Sequence, residues 1–344
     1  MKKLALWSLV AAVFLTSCGG DDEGEPNNGE GSVYVVNEGN FNQTNGSITS
    51  YDPESGEVSA FVFQTANSRP LGDVVQSLFI DADEVGYVVV NNSKKIERVN
   101  ADFVSTATIE DNLANPRYLL RANDQLFVSN WGTFDESYAL DQSSVLILDA
   151  TTFEKEGVIN TEDGTENLAY ADGFVYASNS FGNTVSVIKT STGELETTLE
   201  VGYSPGEMVV DEAGSVWLIC GGSYQGNDGA IYKLGASAAT KEVDLEVNPS
   251  TRLSIDKEQG VLYYIAGTSV GSYETTQKVL EKAFITIDEA VGFYGLGYNE
   301  AEDIIYIADA KGFQGKGTVY RYSADGEALS TFEAGVAPNG FVFK

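Results

Sequence analysis

The chain ends in "APNGFVFK" (337–344), and its first β-rich run is "SVYVVNEG" (32–39). The ending matches "NPRYLLRA" (115–122) and "SPGEMVVD" (204–211), each of which opens a series of further strands. Nothing follows the last copy. The run at 32 matches segments that elsewhere come second in such a series. The last strand is therefore expected to complete the unit that the first strand begins, so that the chain closes on itself.

Working outward, seven segments share one shape. They are "VYVVNEG" at 33, "YVVVNNS" at 87, "LFVSNWG" at 126, "VYASNSFG" at 175, "VWLICGG" at 216, "LYYIAGT" at 262 and "IYIADAK" at 305. The residues that end each apolar run are Asn37, Asn91, Asn130, Asn179, Cys220, Ala266 and Asp309, at spacings of 54, 39, 49, 41, 46 and 43. Periods of this size mark solenoids or propellers. Each unit reads as four strands, A to D. "TVSVIKTSTGELETTLEV" (184–201) holds two β-rich runs around a Ser-Thr-Gly turn, and "MVVDEAGSVWL" (208–218) holds two around a tight turn. Helical periodicity shows nowhere in 32–344. The expected fold is all-β: a seven-bladed β-propeller of four-stranded antiparallel blades over 32–344, its ring closed by pairing of the C-terminal strand with the N-terminal blade. Closure leaves only short edges exposed. A two-domain β-sandwich is the alternative.

The start of the chain reads differently. Lys2 and Lys3 precede an apolar stretch, Leu4 to Leu15, broken only by Ser8. This is a secretory signal, shorter than the roughly 20 residues of a membrane span. "LTSC" (15–18) resembles a bacterial lipobox. That resemblance implies a signal peptide over 1–17 and lipidation of Cys18, which tethers the protein without spanning the membrane. Residues 18–31 are rich in Gly, Asn and acids and read as a flexible linker. Acids directly after the cysteine resemble the surface-export signal of Bacteroidetes lipoproteins. The expected location is the outer membrane, lipid-anchored and exposed at the cell surface. An ordinary signal with a chance cysteine, or a plain spacer on a periplasm-facing lipoprotein, are the alternatives.

Composition removes several classes of function. Lys plus Arg number 20 and Asp plus Glu 51, a net charge of −31. Such a surface repels nucleic acid and anionic membrane, so membrane contact is expected only through the lipid anchor. There is no histidine. That absence takes away the usual general base, the commonest metal ligand and every Ser-His-Asp device. Cys220 follows "SVWLI" and reads as a small buried apolar residue. No cofactor and no metal is expected. "DADEVG" (81–86) has too few ligands for an EF-hand and reads as an Asp-rich turn.

"NEGN" (37–40), "RPLGDVVQS" (69–77), "NNSKKIE" (91–97), "NPRYLL" (115–120), "SNWG" (129–132) and "SPGEMVVD" resemble the YncE-like seven-bladed propellers of the DUF5074 type. These occur as Bacteroidetes surface lipoproteins. Relatives include a vitamin-B12-capturing lipoprotein that caps a TonB-dependent transporter and one that captures a ferric siderophore. The resemblance covers 32–344 and rests on framework motifs.

In a propeller the B–C loops and D–A connections share one face, and the A–B and C–D turns the other. Here the second set is acidic and ordinary, as in "DEAGS" (211–215) and "DKEQG" (256–260). The first set carries the candidate ligand-binding residues. The B–C loops offer Asn37, Glu38, Phe41, Trp131, Phe134, Tyr138, Phe181, Tyr224, Tyr273 and Phe313. The D–A connections offer Arg69, Arg117, Tyr118, Tyr203, Arg252 and Tyr294, with the three arginines at equivalent positions. Four B–C loops read as long: "NEGNFNQTNG" (37–46), "NWGTFDESYALDQS" (130–143), "GGSYQGNDG" (221–229) and "GTSVGSYETTQ" (267–277). Aromatic-bearing loops on a rigid scaffold are where binding resides.

Three functions compete. The first is a non-enzymatic surface receptor that binds a large nutrient, a corrinoid or a ferric siderophore, and delivers it to a TonB-dependent outer-membrane transporter. The charge of −31 leans toward a corrinoid over a triply anionic ferric catecholate. The second is a glycan- or protein-binding scaffold. The third is a histidine-free lactonase or lyase, whose base would be a carboxylate such as Glu38, Asp73, Asp135 or Glu207.

Overall fold

A computed structural model describes residues 31–137 and 139–344. The expected signal peptide, the lipidation of Cys18, nearly all of the linker and Tyr138 lie outside the described residues. The described chain forms seven four-stranded antiparallel sheets, the blades of one propeller. Blade 1 takes strand A from the end of the chain, Pro338–Phe343, and strands B, C and D from its start, Val33–Asn37, Ser47–Tyr51 and Val58–Ser59. In blades 2 to 7 the four strands follow in chain order, each blade opening on its A strand: Val75–Ile80, Pro116–Ala122, Thr165–Ala171, Pro205–Val210, Leu253–Asp256 and Phe293–Asn299.

Closure is a backbone ladder. Val33 pairs with Phe343, Val35 with Phe341 and Val36 with Gly340. The Gly31 N–H donates to the Lys344 carbonyl at 2.7 Å, and the Glu38 N–H to that of Ala337 at 2.9 Å. Strand B of blade 1 shows how the ring is filled. Its side chains alternate between two faces, and both faces are covered. Val33 and Val35 meet Tyr306, Ala308 and Val319 of blade 7. Tyr34 and Val36 meet Leu78, Val88 and Val90 of blade 2. Such an apolar cluster fills each of the seven junctions between neighbouring blades. Each fully buried valine contributes roughly 1.5–3 kcal/mol.

The polar residue that ends strand B has a structural use. Asn37 is fully buried. Its Nδ2 donates to the Thr49 and Ser47 hydroxyls at 3.0 and 3.2 Å, and its Oδ1 accepts from the Gly335 N–H at 2.8 Å. The side chain thus clasps the segment entering its own blade. Asn130 accepts from the Ala114 and Asn115 amides, and Asp309 from those of Val291 and Gly292. The expected ligand role of Asn37 is corrected: every polar atom of its side chain is engaged inside the fold.

Three further expectations change. Residues Val62–Asn67 form a six-residue helix in the connection from blade 1 to blade 2, burying Val62 and Phe63. A helix this short shows no periodicity in the sequence. Tyr273 is not on a loop. The B–C link of blade 6 is only Gly267 and Thr268, and Tyr273 lies on strand C, Ser269–Glu274, buried between blades 5 and 6. Gly271, which reads as a loop glycine, pairs with Tyr264 across the strands. A Cβ there would lie 2.2 Å from the Tyr264 ring, so only glycine fits.

Arg69, the third, is not equivalent to Arg117 and Arg252. It forks onto Glu97 of blade 2 with two bonds of 2.9 Å and lies over the Phe63 ring at 4.9 Å. Glu97 is fully buried and also accepts from Lys95, Ser105 and Thr108.

Asn37→Leu is expected to cost about 1–3 kcal/mol in urea unfolding, because the Gly335 N–H is left buried without an acceptor. Burial pushes the Glu97 carboxyl up, but its bonds to Arg69, Lys95 and Ser105 outweigh burial and hold it down to about 2, against an ordinary 4.5. A depressed carboxyl stabilises the fold fully above the unfolded value and loses that contribution as pH falls. The wild type is therefore expected to lose up to about 3 kcal/mol between about pH 4.5 and 2 that Glu97→Gln does not lose, read from melting temperature against pH.

Candidate functional site

The site begins with an irregularity repeated around the ring. Near its start, strand A skips residues in its pairing with strand B. Blade 2 skips Gln76, blade 3 Arg117 and Tyr118, blade 4 Glu166 and Asn167, and blade 5 Gly206 and Glu207. Blade 7 skips Tyr294, and blade 1 skips Asn339. A bulge leaves a residue unpaired and re-aims its side chain. Three of these strands open on proline, at 116, 205 and 338, which has no N–H to give to a ladder. The bulged residues converge on the propeller axis, where Gln76, Arg117, Tyr118, Glu166, Glu207 and Tyr294 share a cavity of about 180 Å³ with Ser250 and Arg252.

Its charges are paired with one another. Arg117 forks onto Glu166 with bonds of 2.9 and 2.8 Å. Arg252 donates to Glu207 at 2.8 Å, to the Tyr118 hydroxyl at 2.9 Å and to the Tyr294 carbonyl at 3.1 Å. Burial works against both guanidinium charges, yet Glu166 outweighs it for Arg117, and Tyr118 and Glu207 for Arg252, so both pKa values are raised. Burial likewise raises Tyr118 and, together with neighbouring Glu38, Tyr294, whose hydroxyl bonds the Glu38 carboxylate. Paired charges of this kind hold a shape, because removing one strands the other.

The bond from Arg252 to Tyr118 joins blade 6 to blade 3 across the axis. Tyr118, Glu207, Arg252, Gln76 and Asn167 line the upper cavity and also a second one of about 660 Å³. The second cavity runs past Ile255, Leu296 and Phe341 to Lys257 and Lys344 on the opposite face. These shared side chains stand where the two cavities meet.

Around the upper mouth stand the aromatic residues. Phe41, Phe134, Phe181, Tyr203 and Phe313 are 43–67 % exposed and Tyr224 is 96 % exposed. Trp131 lies over the Arg117 guanidinium at 4.0 Å and meets Phe181 and Phe134 at 5.0 and 6.3 Å between ring centres. Its buried indole N–H has no partner among the described residues. Tyr294 meets Phe313 edge-on at 5.1 Å. Glu38, Phe41 and Phe313 line a polar cleft of about 670 Å³ between the B–C loops of blades 1 and 7.

The structure thus brings Arg117, Tyr118, Arg252 and Tyr294 together, with Trp131, Phe134 and Phe181 beside them. Arg117, Tyr118 and Tyr294 belong to strand A itself, which is why they reach the axis, and Arg252 directly precedes one. Asn37, Arg69 and Tyr273 stand apart. Gln76, Glu166 and Ser250 were missed. The signal that points to the first two is alignment with "NPRY": Glu166 falls at the residue after proline and Gln76 at the next one. The four carboxylates considered as bases are tied to donors. Asp73 accepts from the Asn42 amide at 2.8 Å and from the Asn92 side chain. Asp135 accepts from the Ser137 hydroxyl and from two backbone amides, which together lower its pKa. Glu207 accepts from Arg252 and the Leu253 amide, and Glu38 from Tyr294. Among the described residues no group of three His, Cys, Asp or Glu side chains is arranged to hold a metal ion.

Three solved structures share the fold at low sequence identity. A quinonprotein alcohol dehydrogenase-like protein from Bacteroides thetaiotaomicron superposes with a TM-score of 0.72 at 15% identity, covering 91% of this chain and 78% of its own. Hydrazine synthase of Kuenenia stuttgartiensis gives 0.61 at 12% identity, covering 79% and 92%. Virginiamycin B lyase of Staphylococcus aureus gives 0.59 at 12% identity, covering 78% and 88%. At these identities the likeness extends to the fold alone. No curated protein matches the sequence. Residues 31–344 match the model of DUF5074, a domain of unknown function, and the chain belongs to that family.

Proposed function

We propose that this propeller is a non-catalytic receptor, anchored through Cys18 at the outer-membrane surface, that binds a large, partly apolar nutrient and passes it to a TonB-dependent transporter. The cargo is a corrinoid or a ferric siderophore. One observation carries the reading: exposed aromatic side chains ring a polar pocket whose charges are already paired, all at one end of the axis. Rigid aromatics give contact area at little entropic cost, and a large ligand can span several. Tethering then keeps captured cargo beside the cell. The absence of histidine and the engagement of the four carboxylates weigh against catalysis. A glycan is the second reading, favoured by the near-complete exposure of Tyr224 as a stacking platform.

A thermal-shift screen of the soluble 32–344 chain with corrinoids, ferric siderophores, haem and oligosaccharides separates these readings. A true ligand at 100 times its Kd is expected to add about 2.7 kcal/mol of stability. A shift by oligosaccharides alone supports the glycan reading, and no shift by a corrinoid or siderophore overturns capture. Phe181→Ala and Tyr224→Ala are each expected to weaken the bound ligand about ten- to hundredfold in calorimetric titration, while the melting temperature of free Tyr224→Ala stays put because that ring is 96 % exposed.

A further inference from the structure

The A–B and C–D turns lie away from the aromatic rim, and between blades 6 and 7 they enclose a cleft of about 580 Å³. Asp256, Glu258 and Glu274 of blade 6 and Glu300, Asp303 and Asp325 of blade 7 line it. Among the described residues only Glu300 meets a cation, the Lys257 ammonium at 3.7 Å. Acidic turns alone make a solvated surface, but these cover a buried polar group. Tyr263, on strand B of blade 6, is 2 % exposed and lines the same cleft. Its ring packs on those of Tyr298 and Phe284, at 5.6 and 6.0 Å between centres. Its hydroxyl keeps access to the cleft and bonds no described residue. Burial, with Asp256, Asp303 and Asp325 close by, raises its pKa, so it stays a neutral hydroxyl in the field of three carboxylates. Tyr298 beside it is already committed. Its hydroxyl bonds Asp303 and lies 3.1 Å from Asp256, with one proton to give to two carboxylates. The free lone pairs of Tyr263 and the unmatched negative charge call for the same thing, a donor that is also a cation.

A single metal ion does not fit, because no three His, Cys, Asp or Glu side chains of the described residues are arranged to hold one. The acids are spread over both blades, and Val261 and Ala324 add apolar wall. We propose that this cleft binds a linear polyamine, one ammonium donating to the Tyr263 hydroxyl and the carboxylates beside it, the others meeting the exposed acids Glu258 and Asp325. Several ammonium groups on a flexible chain can meet dispersed carboxylates that a compact ion cannot. The site is separate from the aromatic rim and does not depend on the capture reading.

The test titrates the 32–344 chain calorimetrically with spermidine, putrescine and calcium chloride. It is run at about 0.15 M salt, where exposed charges more than about 8 Å apart are largely screened. Spermidine is expected to bind saturably, and putrescine about tenfold more weakly. Tyr263→Phe, which keeps the ring, and Asp325→Asn are each expected to weaken spermidine about three- to tenfold. Asp325 is exposed, so its variant serves alone if Tyr263→Phe does not fold. Changing Glu194→Gln and Glu196→Gln together removes two exposed acids from strand D of blade 4 and is expected to leave the affinity unchanged. No saturable binding of spermidine, unchanged affinity in the folded variants, or an equal loss from the blade 4 change overturns the site. So does calcium that displaces spermidine at equal concentration. Each of these results leaves the capture reading where it stood.

Discussion

The ladder between Pro338–Phe343 and Val33–Asn37 is the constraint on which the molecule depends. Each blade covers its apolar faces only with its two neighbours, so an open array would leave two faces bare. Those would be the side of blade 1 that carries Val33 and Val35 and the side of blade 7 that carries Tyr306 and Val319. The same ladder completes the axis. Asn339, Gly340 and Phe341 line the lower cavity, and Glu38, which bonds Tyr294 of blade 7, directly follows strand B of blade 1. The binding face therefore exists only when the two ends of the chain have met.

Closure makes an axis, and the bulges furnish it. In a regular strand the residues after Pro116 and Pro205 would point into the packing between blades. The skipped pairing turns Arg117, Tyr118 and Glu207 inward instead. Buried there, guanidinium and carboxylate groups are tolerable only in company, and they are arranged as bonded pairs. The cation over Trp131 extends this order to the aromatic rim, so that this ring on the B–C loop of blade 3 rests on a fixed support.

The fold was legible because its signals are local and repeated: period-two apolar runs, turns rich in Asp and Gly, and a final strand without followers. The site was legible only by residue type. Trp131, Phe181 and Tyr224 announce themselves as aromatics on B–C loops, and Arg117 and Arg252 as cations near strand A. The partners of those arginines are set by register, and register at a bulge is not written in the strand that carries it. Glu166 therefore passed unnoticed. The errors have the same origin. Gly271 reads as a loop until Tyr264 is seen lying on it, Arg69 reads as a third rim cation until Glu97 is found beneath it, and Asn37 reads as a free amide until Gly335 is found in contact.

The crossing of Tyr118 and Arg252 has a logistical consequence. The bond spans the bore where the two cavities meet and narrows it for any bulky molecule. A bulky ligand settled among the rim aromatics would leave through the opening by which it came. On the capture reading, an acceptor of such a ligand meets the loaded side head-on. The described chain begins at the opposite pole, where the Gly31 N–H donates to the Lys344 carbonyl.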